Sequence, residues 1–105
     1  MIRHMLFFSF RQGVPDHERE AMLGGLAAFS ARFPAMKNLQ IGKNISWRDQ
    51  SFSHGFTVEF ETVEELDAYL KSDFHEDFVA TRFRPIVEKR AIVTMECGEG
   101  NRSGL

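Results

Sequence analysis

The chain has 105 residues and a mass of 12.1 kDa, which is the size of one compact domain and too small for two independent hydrophobic cores. Its 13 Lys and Arg residues are matched by 15 Asp and Glu residues, so the formal net charge is -2 and no basic excess is present to bind a nucleic acid backbone. The single cysteine, Cys97, cannot form an intramolecular disulfide, and no apolar run reaches the roughly 20 residues that a membrane span needs. These features predict a cytoplasmic domain with neither nucleic acid nor a membrane as a partner.

Phenylalanine is unusually frequent in this chain, with 11 Phe against one Trp and one Tyr. With 43% hydrophobic and 27% charged residues, the composition is otherwise that of a folded globular protein. Because aromatic side chains carry large apolar surfaces, so many Phe residues favour a cavity or a subunit interface beside a small core.

Residues 2–10 alternate between two faces, which is the pattern of a β-strand. Both faces carry bulky apolar groups, so we expect helices to cover one face and another surface to cover the second. The first face holds Ile2, His4, Leu6, Phe8 and Phe10, and the second holds Arg3, Met5, Phe7 and Ser9.

A first helix is predicted to begin at Pro15, because acidic residues occupy the turn that follows it and the helix dipole favours acids there. Pro34 ends this helix. Its apolar residues recur at i, i+4, i+7 and i+11 as one buried stripe of Met22, Leu26, Phe29 and Phe33. The pair Gly24-Gly25 lies inside the helix, so the helix either approaches the sheet closely there or leaves room for a ligand.

The rest of the chain is predicted to form three more strands and two helical segments. The strands span residues 36–45, 52–60 and 89–96. Thr62 and Glu65 form a capping box at the start of one helix, and Ser72-Asp73 can cap a further helical segment over residues 74–84. Residues 98–105 contain no aromatic group and are expected to be a disordered tail outside a domain of residues 1–97.

Along residues 52–60, alternate positions carry apolar side chains around one histidine. The residues expected to share this face are Phe52, His54, Phe56, Val58 and Phe60.

The order β-α-β-β-α-β is the split βαβ arrangement of ferredoxin-like domains. We therefore predict an α+β fold with a four-stranded antiparallel sheet in the order 4-1-3-2 and helices on one face. The other face would expose Met5, Phe7 and, on the last strand, Ile92. Burial against a second copy would cover these groups, so we predict a homodimer in which two sheets form a shared barrel, a dimeric α/β barrel.

Several short segments resemble the stress-responsive dimeric α/β-barrel domain family. They are MIRH at 1–4, FSF at 8–10, FSH at 52–54, VEFE at 58–61, AYL at 68–70 and FHEDF at 74–78. Their order and spacing are similar to the family pattern over about residues 1–96. The resemblance implies a ferredoxin-like homodimer and, for most bacterial members, no established activity.

One plant member of that family is a polyketide cyclase that closes its substrate by an intramolecular aldol reaction. In that enzyme a tyrosine and a histidine six residues later form the catalytic pair, and a histidine early in the first strand lines the same cavity. The resemblance therefore implies catalytic roles for Tyr69, His75 and His4, and His54 is similar to a strand histidine of the plant enzyme. The first helix of this chain has Gly24-Gly25 and no tyrosine, so the shape of the plant enzyme's substrate is not expected to apply.

Physical reasoning also favours Tyr69 and His75 as a pair. Residues six apart on an unbroken helix face different directions, whereas a capped break at Ser72-Asp73 lets them converge on one pocket. A neutral imidazole can remove a proton next to a carbonyl while a phenol stabilises the enolate oxygen. The alternative is structural: Tyr69 finds a partner for its hydroxyl and His75 caps or packs at a helix start.

The two strand histidines, His4 and His54, lie in apolar rows where each imidazole needs a hydrogen-bond partner, which structure alone can supply. Three imidazoles, those of His4, His54 and His75, could also hold a metal ion. No carboxylate or paired spacing accompanies them, so neither a metal nor another cofactor is predicted. The Phe residues form a core or line an apolar tunnel, and the expected ligand-binding residues are His54, Phe8, Phe56 and Phe78.

Two functional hypotheses remain at this point. The first is a cofactor-independent cyclase or lyase that acts on a small apolar or aromatic carbonyl compound through Tyr69, His75 and His4. The second is a non-catalytic dimeric module that binds a ligand or has a stress-associated role. A solvent-connected cavity on the order of several hundred Å³ beside these three residues would favour the enzyme, and a filled core would favour the module.

Overall fold

The computed structural model describes residues 1–98, so the tail expected at 98–105 lies, apart from Gly98, outside the described residues. Four strands form one antiparallel sheet in the order β2-β3-β1-β4. They are β1 (Ile2–Phe10), β2 (Lys37–Lys43), β3 (His54–Phe60) and β4 (Val87–Glu96). The predicted α+β, ferredoxin-like topology and its strand order are confirmed.

The helices lie at the two expected positions in the chain. The first position holds two short segments instead of one helix, and the second holds two segments, as predicted. They are α1 (Asp16–Ala27), α2 (Phe29–Arg32), α3 (Val63–Leu70) and α4 (Asp73–Phe78), and a π-helical turn, Val79–Phe83, follows α4. Our prediction of a single first helix is wrong, because Ala28 separates α1 from α2. Thr62 and Glu65 form the predicted capping box of α3.

The hydrophobic core lies between the helices and one face of the sheet. The inward positions of β1 and β3 are buried, and they pack against Met22, Leu26, Phe29 and the aromatic residues of the later helices. Complete burial of one Phe side chain stabilises a fold by about 1.5–3 kcal/mol, so the fully buried rings supply much of the stability. Those rings are Phe8, Phe29, Phe56 and Phe60.

The register of β4 corrects one expectation about the open face of the sheet. Leu6 pairs with Ile92, and Met5 pairs with Val93. Directly paired residues share a face, so Ile92 lies on the helix-covered face and Val93 lies on the open face. A shift of one residue in register exchanges the two faces, and the sequence alone does not specify that register.

Phe52 also departs from its predicted position, since β3 begins only at His54. Its ring lies 6.3 Å from that of Phe7, on the open face of the sheet. The open face therefore carries a continuous set of apolar side chains, namely Met5, Phe7, Phe52, Ala91, Val93 and Met95. Trp47, in the loop between β2 and β3, is 83% exposed.

The helices within residues 1–98 are all too short or too polar to cross a lipid bilayer.

Candidate functional site

The junction between α3 and α4 holds Tyr69 and His75 together. The Ser72 hydroxyl donates a hydrogen bond to the Tyr69 carbonyl over 2.8 Å and accepts one from the His75 backbone N–H over 3.1 Å. Ser72 is thus the N-cap of α4, as predicted, and it turns the chain between the two residues. The ring centroids of Tyr69 and His75 lie 4.6 Å apart, with the planes inclined by 63°.

The His75 ring has a defined tautomer because of its backbone partner. Nδ1 lies 3.1 Å from the carbonyl oxygen of Leu70, and a carbonyl oxygen only accepts, so Nδ1 carries the proton. The neutral ring then has a free electron pair on Nε2, which is the form a general base needs. Burial lowers the pKa of His75, although the Leu70 carbonyl and the charge of Glu76 oppose part of this effect.

Tyr69 presents its phenol from an aromatic enclosure. The side chain is 4% exposed and contacts the rings of Phe33 and Phe60 at centroid distances of 5.0 and 5.7 Å. Burial raises the pKa of Tyr69 well above its usual range, so the hydroxyl remains a hydrogen-bond donor at neutral pH.

His4 reaches the same place from β1. Its Nδ1 lies 2.8 Å from the Thr94 hydroxyl on β4, and its ring meets Tyr69 edge-on at 6.3 Å. Burial lowers the pKa of His4, and the charge of His75 lowers it further. Two imidazoles and one phenol therefore converge, and all three are held in their neutral forms near pH 7.

These side chains border a cavity of about 130 Å³ between the sheet and the helices. Its wall also contains Phe56 and Phe78, so five of the predicted site residues meet there. The cavity is smaller than the roughly 300–1,000 Å³ typical of sites for drug-sized ligands. The enclosed volume is therefore below the several hundred Å³ that we expected beside these residues for an enzyme.

His54 and Phe8 are not brought to this cavity. Their rings stack on each other at 5.6 Å, and Nδ1 of His54 lies 2.8 Å from the Ser53 hydroxyl. His54 lines a surface groove at the loop end of β2 and β3 instead, while Phe8 is a core residue. Within residues 1–98, no three His, Cys, Asp or Glu side chains are grouped closely enough to hold a metal ion.

Of the adjacent glycines Gly24 and Gly25, only Gly25 lies at the close approach of two helices. A methyl group on Gly25 would lie 2.7 Å from Cε2 of Phe78, whereas one on Gly24 would meet no atom within 4 Å. Gly25 therefore lets Phe78 reach its place in the cavity wall. The close approach is to α4 and not to the sheet, so it is neither of the two alternatives predicted for this pair.

Several residues of the cavity were missed by the sequence reasoning. Arg90 and Ile92 line the cavity from β4, and alternation along that strand could have placed them on one face. Thr94, on the same face of β4, does not line the cavity but is the partner of His4. Val79 and Phe83 line the cavity from the π-helical turn, for which the sequence offers no comparable signal. π-Helical turns recur at functional sites, in agreement with this position.

Fold and site together define a ferredoxin-like α+β domain with a Tyr-His pair in a cavity between sheet and helices. The chain belongs to the stress responsive A/B barrel domain family, whose model matches residues 2–97.

Two relatives of established name are similar to this chain. The stress-response A/B barrel domain-containing protein HS1 of Arabidopsis thaliana is 29% identical over 94 residues, which cover 88% of this chain and 85% of the relative. The olivetolic acid cyclase of Cannabis sativa is 23% identical over 79 residues, which cover 73% of this chain and 78% of the cyclase.

Solved structures share the fold over nearly the whole chain. A crystal structure of an Arabidopsis thaliana protein has a TM-score of 0.84 and 27% identity, with 94% of this chain and 97% of the other covered. The hydroxynitrile lyase of Passiflora edulis has a TM-score of 0.83 at 20% identity, with 93% and 94% covered. A dimeric ferredoxin-like protein of Thermobifida fusca has a TM-score of 0.77 at 20% identity, with 91% and 90% covered.

Proposed function

We propose that this protein is a cofactor-independent lyase or cyclase that acts on a small carbonyl compound. The observation that carries the proposal is the hydrogen bond between His75 Nδ1 and the Leu70 carbonyl, which leaves Nε2 unprotonated beside the Tyr69 phenol. A general base and a hydrogen-bond donor at one small cavity are what enolate chemistry requires.

In the proposed reaction, Nε2 of His75 takes a proton from the carbon next to the substrate carbonyl. The Tyr69 hydroxyl donates a hydrogen bond to the oxygen on which negative charge develops. The enolate then forms a carbon–carbon bond to a second carbonyl, and the protonated His75 returns its proton to the resulting alkoxide. In the reverse direction the same groups would cleave such a bond. His4 contributes a second neutral imidazole that contacts the bound molecule.

The relatives support this class of chemistry. A cyclase is similar to this chain over most of its length, and a hydroxynitrile lyase has the same fold. The cavity of about 130 Å³ favours a substrate of only a few non-hydrogen atoms within the enclosed part.

The proposal is tested by deuterium exchange of butanone in D₂O, followed by proton NMR. We expect the protein to accelerate exchange next to the carbonyl, and His75→Ala and Tyr69→Phe to reduce the acceleration at least about tenfold, because general acid–base groups contribute roughly 10²- to 10⁴-fold. The double variant should be scarcely slower than the slower single variant, since the two residues act as one unit.

His17→Ala is the matched control, because His17 is exposed in α1 and does not line the cavity. Exchange at the rate of a protein-free blank would contradict the proposal. If butanone instead binds without exchange, and His75→Ala only lowers the melting temperature, the protein is the non-catalytic module.

We also propose that the protein is a homodimer joined through the open face of the sheet. The apolar side chains of that face, including Val93 at 42% and Met95 at 40% exposure, have no cover within residues 1–98. Exposed apolar surface of this kind is typical of an interface. The dimeric Thermobifida fusca protein of the same fold supports this assembly.

A further inference from the structure

The charge in the cavity wall comes from one residue. Among the described residues that line the cavity, Arg90 alone carries a permanent charge, and none is acidic. His4 and His75 lie in the same wall, and the pKa of each is lowered, so they are neutral at pH 7. The guanidinium therefore gives the lining of the cavity its positive charge.

The register of β4 directs Arg90 towards the cavity. Arg90 pairs with Phe8, which faces the core, so Arg90 lies on the helix-covered face of the sheet together with Ile92. Both residues are exposed although they lie on that face, because the helices leave this edge of the sheet uncovered. The cavity thus opens beside β4, and Arg90 lies at its mouth.

The guanidinium has no partner in the described part of the chain. Neither an ion pair nor a hydrogen bond joins the Arg90 side chain to any group within residues 1–98. Other arginines are partnered: Arg3 pairs with Glu59, and Arg82 donates a hydrogen bond to the Ala21 carbonyl over 3.1 Å. Guanidinium donors match a carboxylate in a bidentate arrangement. All of its donors are therefore available to a bound molecule.

We propose that the cavity takes a small keto carboxylate, whose carboxylate is held by Arg90 at the mouth. This inference rests on the proposed function, which directs the carbonyl towards Tyr69 and His75. An apolar cavity of about 150 Å³ binds benzene in another protein, so the present cavity of about 130 Å³ accommodates the short apolar end of such a molecule. The anionic end then lies outside the enclosed volume, beside Arg90.

The inference is tested by calorimetric titration with acetoacetate and with acetoacetamide, its neutral analogue of equal size. Wild-type protein should bind acetoacetate at least about tenfold more tightly, because hydrogen bonds to a charged acceptor are stronger than those to a neutral one. Arg90→Gln should abolish this preference and leave the affinity for acetoacetamide within about twofold, and Arg90→Lys should restore part of it.

Arg84→Gln is the matched control, since Arg84 is an exposed arginine that lines none of the cavities described. Equal affinity of the wild type for the two ligands, absence of binding by both, or the same loss in Arg84→Gln would each overturn the inference. The proposed function is judged separately, by exchange of neutral butanone. Arg90-dependent binding of acetoacetate without butanone exchange would retain the anion site and reject the chemistry.

Discussion

At the scale of single residues, burial favours the neutral form of both Tyr69 and His75. Burial disfavours the charged form of any group. It lowers the pKa of the imidazole, whose charged form is protonated, and raises the pKa of the phenol, whose charged form is deprotonated. The same cavity thus holds His75 neutral as a base and Tyr69 neutral as a donor.

The pH profile of butanone exchange follows from these directions. The protein-dependent rate should fall as the pH decreases through the pKa of His75, with a midpoint below the ordinary value of about 6.5 because burial lowers that pKa. The rate should not fall again up to about pH 10, because the pKa of Tyr69 is raised. Rates are measured by NMR and corrected with protein-free blanks. A midpoint above 6.5, or an alkaline decline below pH 10 in folded protein, would contradict the assignment.

At the scale of secondary structure elements, the contact between α1 and α4 shapes the cavity wall. Phe78 packs against Phe29 at a centroid distance of 4.8 Å, and its ring edge faces the backbone of Gly25. The Arg82 guanidinium lies 5.4 Å from the centre of the Phe78 ring and donates a hydrogen bond to the Ala21 carbonyl of α1. Movement of this ring is therefore restricted, and the cavity volume depends on the absence of a side chain at Gly25.

Replacing each of the two adjacent glycines by alanine should have opposite effects. Gly24→Ala should stabilise the protein by up to about 1 kcal/mol, because alanine favours a helix and the position is open. Gly25→Ala should destabilise it by about 1–3 kcal/mol, because Phe78 must move, and it should also slow butanone exchange. Urea denaturation compares the two variants, and equal stabilisation by both would show that the α1–α4 contact is not tight.

At the scale of the whole molecule, the sheet has two apolar faces, and the helices of one chain cover only one of them. Ile92 and Val93 are neighbours on β4 and lie on opposite faces of the sheet. In the single chain they are similarly exposed, at 48% for Ile92 and 42% for Val93. In the proposed homodimer their exposed fractions differ strongly, because only Val93 faces the second sheet and is buried by it.

The pair Val93→Glu and Ile92→Glu tests the dimer. Sedimentation at micromolar concentration should give the wild type and Ile92→Glu about twice the chain mass of 12.1 kDa. Val93→Glu should give the mass of one chain, because an unpaired charge buried at an interface costs several kcal/mol. Both positions are half exposed in the single chain, so both variants should fold. A monomeric wild type, or a dimeric Val93→Glu variant, would reject this interface.

Local chemistry in the sequence determined the order of the elements, the antiparallel topology and the caps at Thr62 and Ser72. It also placed Tyr69 and His75 on either side of a capped break, because caps and periodicity act within a few residues. Helix caps and apolar periodicity depend only on residues close together in the sequence, so they can be recognised without a structure.

Only the tertiary structure decided which side chains share the cavity. The one-residue register of β4 assigned Ile92 and Arg90 to the helix-covered face and Val93 to the open face, and the stacking on Phe8 kept His54 away from the site. The close approach of Gly25 to Phe78 set the cavity wall. These outcomes depend on packing between segments that are distant in sequence. The periodicity of apolar residues and the composition of a segment do not specify its register against a distant segment.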